Sequence, residues 1–202
     1  MQDWAQLLRS VSDVRAIIEW GGLLGITGIV FVETGLFFGF FLPGDSLLVT
    51  AGILAAAGVL DIHWLIICAA TAAVVGDQTG YLIGRRAGQA LVKRYAKFRP
   101  HLERAHVFYK TYGSKTIVLA RFVPIVRTFV PAIAGAAAMD YYRFVTYNVA
   151  GGVFWVLSTS LLGYVLGRSI PGIDRYLHVV IAIVILLSIL PSIGEWRRHK
   201  KN

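Results

Sequence analysis

Two arginines and two prolines share one apolar stretch. Leu119 to Gly135 is apolar enough to enter a membrane, yet it contains Arg121, Arg127, Pro124 and Pro131. An arginine at the bilayer centre costs about 3 kcal/mol or more on insertion scales, and a proline interrupts helical hydrogen bonding. Broken backbone at membrane depth persists only where protein or water covers it. The stretch therefore predicts a re-entrant hairpin, broken at both prolines, that faces a polar cavity handling an anion.

A second apolar segment carries two acids. The segment from Glu33 to Gly58 centres on the run Phe41-Leu42-Pro43-Gly44-Asp45-Ser46, and Pro-Gly-Asp is a turn signal. The apolar arms are shorter than the roughly twenty residues that span a bilayer. We therefore expect a preceding span to end near Glu33 and another re-entrant hairpin to begin there. Asp45 would lie at the tip of this hairpin, with the Ser46 hydroxyl beside it.

Acids in one hairpin and bases in the other can neutralise one another. Arginine binds phosphate oxygens through bidentate, charge-assisted hydrogen bonds, so Arg121 and Arg127 are candidate ligands for a phosphate. Glu33 and Asp45 are candidate proton carriers, because a carboxylate in a partly desolvated cavity can titrate. The alternative is that all four form structural ion pairs. Buried ion pairs stabilise poorly compared with apolar packing, which favours a functional use.

Additional polar residues can support this site. Asp77 lies in an apolar span, within Gly76-Asp77-Gln78-Thr79-Gly80-Tyr81. Either it hydrogen-bonds between closely packed helices or it acts directly, and the sequence leaves both readings open. The further candidates are Ser46, Thr128 and Asn148. No metal or cofactor is expected, since His101 and His106 have no partner at ligand spacing on their face.

The elements that position these residues are those of an all-α polytopic membrane protein. The chain is 56% hydrophobic and 15% charged, with a mean hydropathy of +0.65, and a soluble core needs less apolar residue. Spans are predicted after a polar lead-in over residues 1–15. They are Ala16–Val32, Leu65–Ile83 interrupted by Asp77, Phe144–Leu166 and Leu177–Ile193. Asp61, His63 and Trp64 mark an interface before the second of them.

The net charge of +9 reflects loops rather than a nucleic-acid surface. Basic residues concentrate between Arg85 and Lys115 and in the tail after Ile193, as the positive-inside rule describes for cytoplasmic segments. An apolar stripe with cationic flanks runs through the basic loop between Arg85 and Lys115. We therefore expect an amphipathic linker over residues 89–115 on the membrane surface, broken by Pro100. No cleavable signal peptide is visible, and the single cysteine excludes an intrachain disulfide.

An internal repeat organises the single membrane domain. Thr79–Arg85 matches Leu162–Arg168 at an offset of 83 residues, and Pro43 and Pro124 are 81 apart. The two copies, each a hairpin followed by a span, cover about 33–88 and 118–172. With the basic linker and C-terminus both cytoplasmic, the copies are inverted. Inverted repeats that meet near the midplane are a transporter architecture, with the site at their interface.

These residues resemble the bacterial DedA membrane-protein family, which is related to the eukaryotic VTT (SNARE-associated) domain proteins. The resemblance covers about 20–197. The motifs that carry it are Phe41–Ser46, Gly76-Asp77-x-x-Gly80-Tyr81, Arg121-Phe-Val-Pro-x-x-Arg127-Thr-Phe-x-Pro131 with Gly135 and Met139, Tyr147-Asn148, and Trp155. It implies that Glu33, Asp45, Arg121 and Arg127 are needed for function. It also implies an inner-membrane protein that returns undecaprenyl phosphate across the membrane using the proton-motive force; some relatives handle phosphatidylethanolamine.

The expected function is therefore that of a lipid carrier flippase, not an enzyme. Its expected partners are a lipid phosphate, protons and membrane lipids, without nucleic acid, and a homo-oligomer is left open. The alternatives are a phospholipid flippase or scramblase and a proton-coupled ion exchanger, although a small cation would need the acids without two arginines. A lipid phosphatase would need a nucleophile with a base nearby, and neither hairpin contains His or Cys.

Overall fold

A computed structural model describes residues 14–36, 44–94, 107 and 115–170 of the chain. These ranges contain no strand, which confirms the all-helical class. The helices are α1 (Val14–Gly35), α2 (Gly44–Ala56), α3 (Ile62–Arg94), α4 (Lys115–Ala120), α5 (Pro124–Ala136) and α6 (Tyr141–Ser169). The polar lead-in, the turn at Pro43, most of the amphipathic linker with Pro100, the span 177–193 and the basic tail lie outside the described residues.

Within the described part of the chain, two helices are long and apolar enough to cross a membrane. They comprise Ile62–Gly88 within α3 and the whole of α6, which have 27 and 29 residues. They contain the second and third predicted spans. The prediction that Asp77 interrupts the first of these was wrong, because α3 runs through it to Arg94. A helix accommodates a buried acid without a break when a tertiary partner neutralises it, as Arg121 does here.

Helix α1 covers the first predicted span and ends two residues after Glu33, at Gly35. Gly22 has a φ of 52° and kinks the helix, in a region of backbone conformation that favours glycine. The sequence correctly predicted that an element ends near Glu33. The acid therefore lies in the last turn of α1, at the side of the molecule where α2 begins.

The fold repeats a pair made of one short helix and one long helix. Helices α2 and α5 each have 13 residues and span about 20 Å, at 1.5 Å per residue, which is less than the roughly 30 Å hydrocarbon core. Each short helix packs against the long helix of the other pair: α2 on α6, and α5 on α3. The pairs are therefore interlocked, and residues from both meet in the interior.

Glycines allow the two interlocked contacts. A Cβ at Gly52 would overlap the main chain of α6 at Ser160 and Tyr164, and one at Gly135 would overlap α3 at Tyr81 and Arg85. Gly52 and Gly135 are 83 residues apart, as are Tyr81 and Tyr164. The repeat offset found in the sequence thus recurs in the packing of the helices.

The break predicted in the arginine-rich stretch occurs at one proline, not two. Main-chain N–H groups of residues 121–123 donate to carbonyls three residues earlier, which makes a turn between α4 and α5. Pro124 opens α5, where a missing N–H costs nothing. The expectation that Pro131 breaks the helix was wrong: α5 continues through it, and Pro131 packs against Gly80 of α3. Neighbouring helices commonly stabilise such a proline in membrane helices.

Candidate functional site

Arg127 lies between two carboxylates. Its Nη1 donates to Asp45 Oδ1 at 2.8 Å, and its Nη2 donates to Glu33 Oε1. Three elements supply these groups: the first turn of α5, the first turn of α2 and the last turn of α1. Glu33 and Arg127 are buried, with exposed fractions of 2% and 8%. The sequence therefore correctly paired both acids with an arginine of the second repeat.

Trp155 of α6 completes this Arg127 centre. Its indole N–H donates to Asp45 Oδ1 at 2.8 Å, the same oxygen that accepts from Arg127. The Arg127 guanidinium carbon lies 4.6 Å from the centroid of the indole ring, within the range of a cation–π interaction. Sequence reasoning did not assign Trp155 to the site. One aromatic residue in an apolar helix carries no charge signal, and only its place in the family motif marked it.

Arg121 forms a separate centre with a different acid. Its Nη2 donates to Asp77 Oδ2 and to Asn148 Oδ1. The Asn148 amide is fixed from its other side, since Nδ2 donates to the Val74 carbonyl at 3.1 Å. The expectation that Glu33 and Asp45 together neutralise both arginines was thus wrong in detail. Both acids contact Arg127, and Asp77 is the counterion of Arg121.

Two of the other supporting candidates are chain neighbours of residues in the Arg127 centre. Ser46 follows Asp45 in α2, and Thr128 follows Arg127 in α5, and both side chains are buried. Asn148 is fully buried in α6 and belongs to the Arg121 centre. The sequence candidates therefore divide between two centres.

The two centres form one charged cluster. Arg127 lies close enough to Asp77 and Arg121 for their charges to interact. Three acids face two guanidinium groups, and the excess acid lies at Arg127, which has two carboxylate partners. Each buried charge is costly unless it is paired. The Arg127 centre is therefore the place where taking up one proton would bring the charges into balance.

An apolar groove of about 540 Å³, open to the surface, lies between α1 and α3. The hydroxyls of Thr27 and Thr71 in its wall donate to carbonyls four residues earlier, at Leu23 and Ile67, so they offer no free donor. Such an apolar, open groove favours contact with hydrocarbon rather than with an ion. Its lining residues are Leu24, Thr27, Gly28, Phe31, Ile67, Cys68, Thr71, Ala72 and Val75.

Comparison with known proteins identifies the family. The VTT domain model matches residues 42–165, which include Asp45, Asp77 and both arginines. The chain is 46% identical to protein DedA of Escherichia coli strain K12, over 86% of this chain and 81% of that protein. The chain belongs to the DedA family of VTT-domain membrane proteins.

Other relatives agree with this assignment. An uncharacterized membrane protein of Mycobacterium tuberculosis is 47% identical over 91% of this chain and 86% of its own length. The inner membrane protein YqjA of Escherichia coli is 34% identical over 80% of this chain and 74% of its own length. No solved structure matches the chain. The relatives' names and the two apolar helices support a membrane protein, and YqjA is named for the inner membrane.

Proposed function

We propose that the chain moves a lipid phosphate of the undecaprenyl phosphate type across the bacterial inner membrane and couples this movement to protons. The observation that carries the proposal is Arg127, a buried guanidinium held between the carboxylates of Glu33 and Asp45. A guanidinium binds phosphate oxygens with the same donors that it uses for carboxylates. Phosphate and the two acids therefore compete for one group.

Protons set the outcome of this competition. When Glu33 or Asp45 takes up a proton, it loses the charge that holds Arg127, and the guanidinium becomes available to phosphate. When the acids release their protons, they compete with the phosphate again. One proton moving down the membrane potential supplies about 2.3 kcal/mol per 100 mV. Arg121 is the second proposed phosphate ligand, held ready by Asp77 and Asn148.

The architecture supports access to this site from both sides of the membrane. We propose that α2 and α5 are arms of two re-entrant hairpins in inverted repeats, with the basic linker and the C-terminus in the cytoplasm. Both helices are too short to cross the hydrocarbon core, and each packs against the long helix of the other pair. Inverted repeats with a shared site permit alternating access. The open apolar groove between α1 and α3 offers a surface for hydrocarbon.

The test is transport by purified protein in liposomes. Labelled undecaprenyl phosphate and labelled phosphatidylethanolamine are each supplied with and without a pH gradient. We expect undecaprenyl phosphate to move faster with the gradient, and no inorganic phosphate to be released. Preferred movement of phosphatidylethanolamine would indicate a phospholipid flippase. Movement of both lipids without gradient dependence would indicate a scramblase, and phosphate release would indicate an enzyme.

Single-residue variants then test the coupling. Glu33→Gln and Asp45→Asn are expected to abolish the response of transport to the pH gradient, because an amide side chain does not take up or release a proton at physiological pH. Asp61→Asn is a matched control, since Asp61 is an exposed acid at the start of α3 whose carboxylate accepts N–H groups of its own chain. A normal gradient response in both site variants would contradict proton coupling at these acids.

A further inference from the structure

The carboxylate of Glu33 lies against the N-terminus of α2. A Cβ at Gly44 would overlap the Glu33 carboxylate, with its Oε2 the nearest atom, and the Gly44 main-chain N–H faces the same group. The first N–H groups of a helix have no intrahelical acceptor, and this end of the helix carries partial positive charge. Glycine at position 44 thus lets an anion contact the main chain directly.

The opposite side of this carboxylate faces a guanidinium. Arg127 donates to Glu33 Oε1, so the anion lies between Arg127 and the start of a 13-residue helix. Oε2 is buried, yet it forms no hydrogen bond of normal geometry with any described residue. A buried oxygen without a partner is costly. The Glu33 carboxylate is therefore incompletely satisfied in this position, which favours its displacement by another anion.

A phosphate group can use the same donors as the Glu33 carboxylate. It has more oxygens and more charge, and both helix N-termini and arginines are common phosphate ligands. We infer that the lipid phosphate binds in the place held here by the Glu33 carboxylate, against the main-chain N–H of Gly44 and the guanidinium of Arg127. This inference rests on the proposed function and adds the position of the phosphate and a specificity role for Gly44.

A structural role for Gly44 gives a different expectation. If glycine is needed only to make room for Glu33, then removing that side chain should make Gly44→Ala harmless. If the phosphate itself occupies this place, a Cβ at position 44 blocks it whether or not Glu33 is present. The two roles therefore separate in the double variant Gly44→Ala with Glu33→Ala.

The experiment measures binding of labelled undecaprenyl phosphate to the full chain in nanodiscs. We expect Glu33→Ala to bind at least as tightly as the native chain, because its competitor is gone. The double variant should bind at least about tenfold more weakly than Glu33→Ala. Gly21→Ala with Glu33→Ala is the matched control, since a Cβ at Gly21 meets open space, and it should bind like Glu33→Ala. Equal binding by the double variant and Glu33→Ala would overturn the inference.

A second measurement uses the native chain, so that the inference can be tested even if the double variant does not fold. The infrared band of the Glu33 carboxylate, assigned from its loss in Glu33→Gln, should shift when undecaprenyl phosphate is added to the native chain. An unchanged band despite binding would place the phosphate elsewhere. Failure of the proposed function gives a different result: neither the native chain nor Glu33→Ala would bind the lipid in a manner that depends on Arg127.

Discussion

The two arginine centres use the same cation in different settings. Arg127 faces two carboxylates and the ring of Trp155. Arg121 faces one carboxylate, Asp77, and the neutral amide of Asn148. Both guanidinium groups are buried, so burial does not distinguish them. The difference is the balance of charge: Arg121 is matched by one acid, whereas Arg127 has one acid in excess.

This difference suggests different roles within one cluster. A matched buried pair gains nothing from a proton, because protonating its acid would leave the guanidinium uncompensated. An excess acid can be protonated without that cost. The structure also holds the two arginines differently: Arg121 lies in the turn before α5 and is fixed by an oriented amide, whereas Arg127 lies within α5. Within the proposed function, proton coupling therefore belongs to the Arg127 centre, and Arg121 serves as a fixed cation.

The largest effect is expected from Arg127→Ala. It removes the proposed phosphate ligand and leaves the buried Glu33 and the partly buried Asp45 without a cation. This should abolish transport and destabilise the fold by about 3–5 kcal/mol. Adding Glu33→Gln and Asp45→Asn should recover most of the stability, measured by thermal unfolding in detergent, but not transport in liposomes. Recovered transport in the triple variant would show that the three residues serve only to stabilise the fold.

The next largest effect is expected from variants of the Arg121 centre, which again remove a cation and then its acid. Arg121→Gln should destabilise the protein because Asp77 loses its counterion, and Asp77→Asn added to it should restore stability. Transport of undecaprenyl phosphate should be slower in this neutral pair, yet it should still rise with the pH gradient, because the Arg127 centre is intact. Loss of the gradient response in the double variant would contradict the division of roles between the centres.

Sequence reasoning identified which charges are buried but not how they pair. Hydropathy located α3 and α6, since long apolar runs with few charges have one interpretation in a membrane protein. Shorter apolar runs elsewhere in the chain made Glu33, Asp45, Arg121 and Arg127 stand out. Pairing depends on which helices pack together, and α2 and α5 each pack on the helix of the other pair. No local pattern predicts that Asp77 would contact the turn before α5.

The effect of the two prolines on the helix was equally difficult to predict from the sequence. Pro124 and Pro131 are identical as sequence signals, yet the first opens α5 and the second lies within it. The difference comes from the surroundings, because Pro131 packs against Gly80 on a neighbouring helix. A proline costs helix stability when isolated, whereas tertiary packing offsets this cost here. The same limit applies to Trp155, which became a site residue only through the positions of α2 and α5.

A smaller effect is expected from Trp155→Phe. Phenylalanine keeps an aromatic face for Arg127 but removes the N–H that donates to Asp45. The loss of one hydrogen bond should lower stability by about 1–2 kcal/mol and slow transport several-fold, because Asp45 loses a donor that holds it in place. Trp155→Ala should reduce transport further. Equal transport rates for the native chain and Trp155→Phe would show that the indole N–H plays no part in transport.

The smallest effect should come from Asp61→Ala, which lies outside both centres. The main-chain N–H of Trp64, aided by that of His63, holds the pKa of Asp61 below its usual value, and these bonds cap the start of α3. A lowered folded-state pKa stabilises the protein at pH values above the unfolded pKa, and this contribution is lost as pH falls through the folded pKa.

Asp61→Ala should therefore lower the melting temperature slightly at neutral pH, and the difference from the native chain should disappear in acid. Because Asp61 contacts neither arginine, transport and its gradient response should stay normal. This variant shows how much a carboxylate that only caps a helix contributes to the melting temperature and to the gradient response of transport. If its loss weakened the gradient response as much as Glu33→Gln does, proton coupling would not be confined to the Arg127 centre.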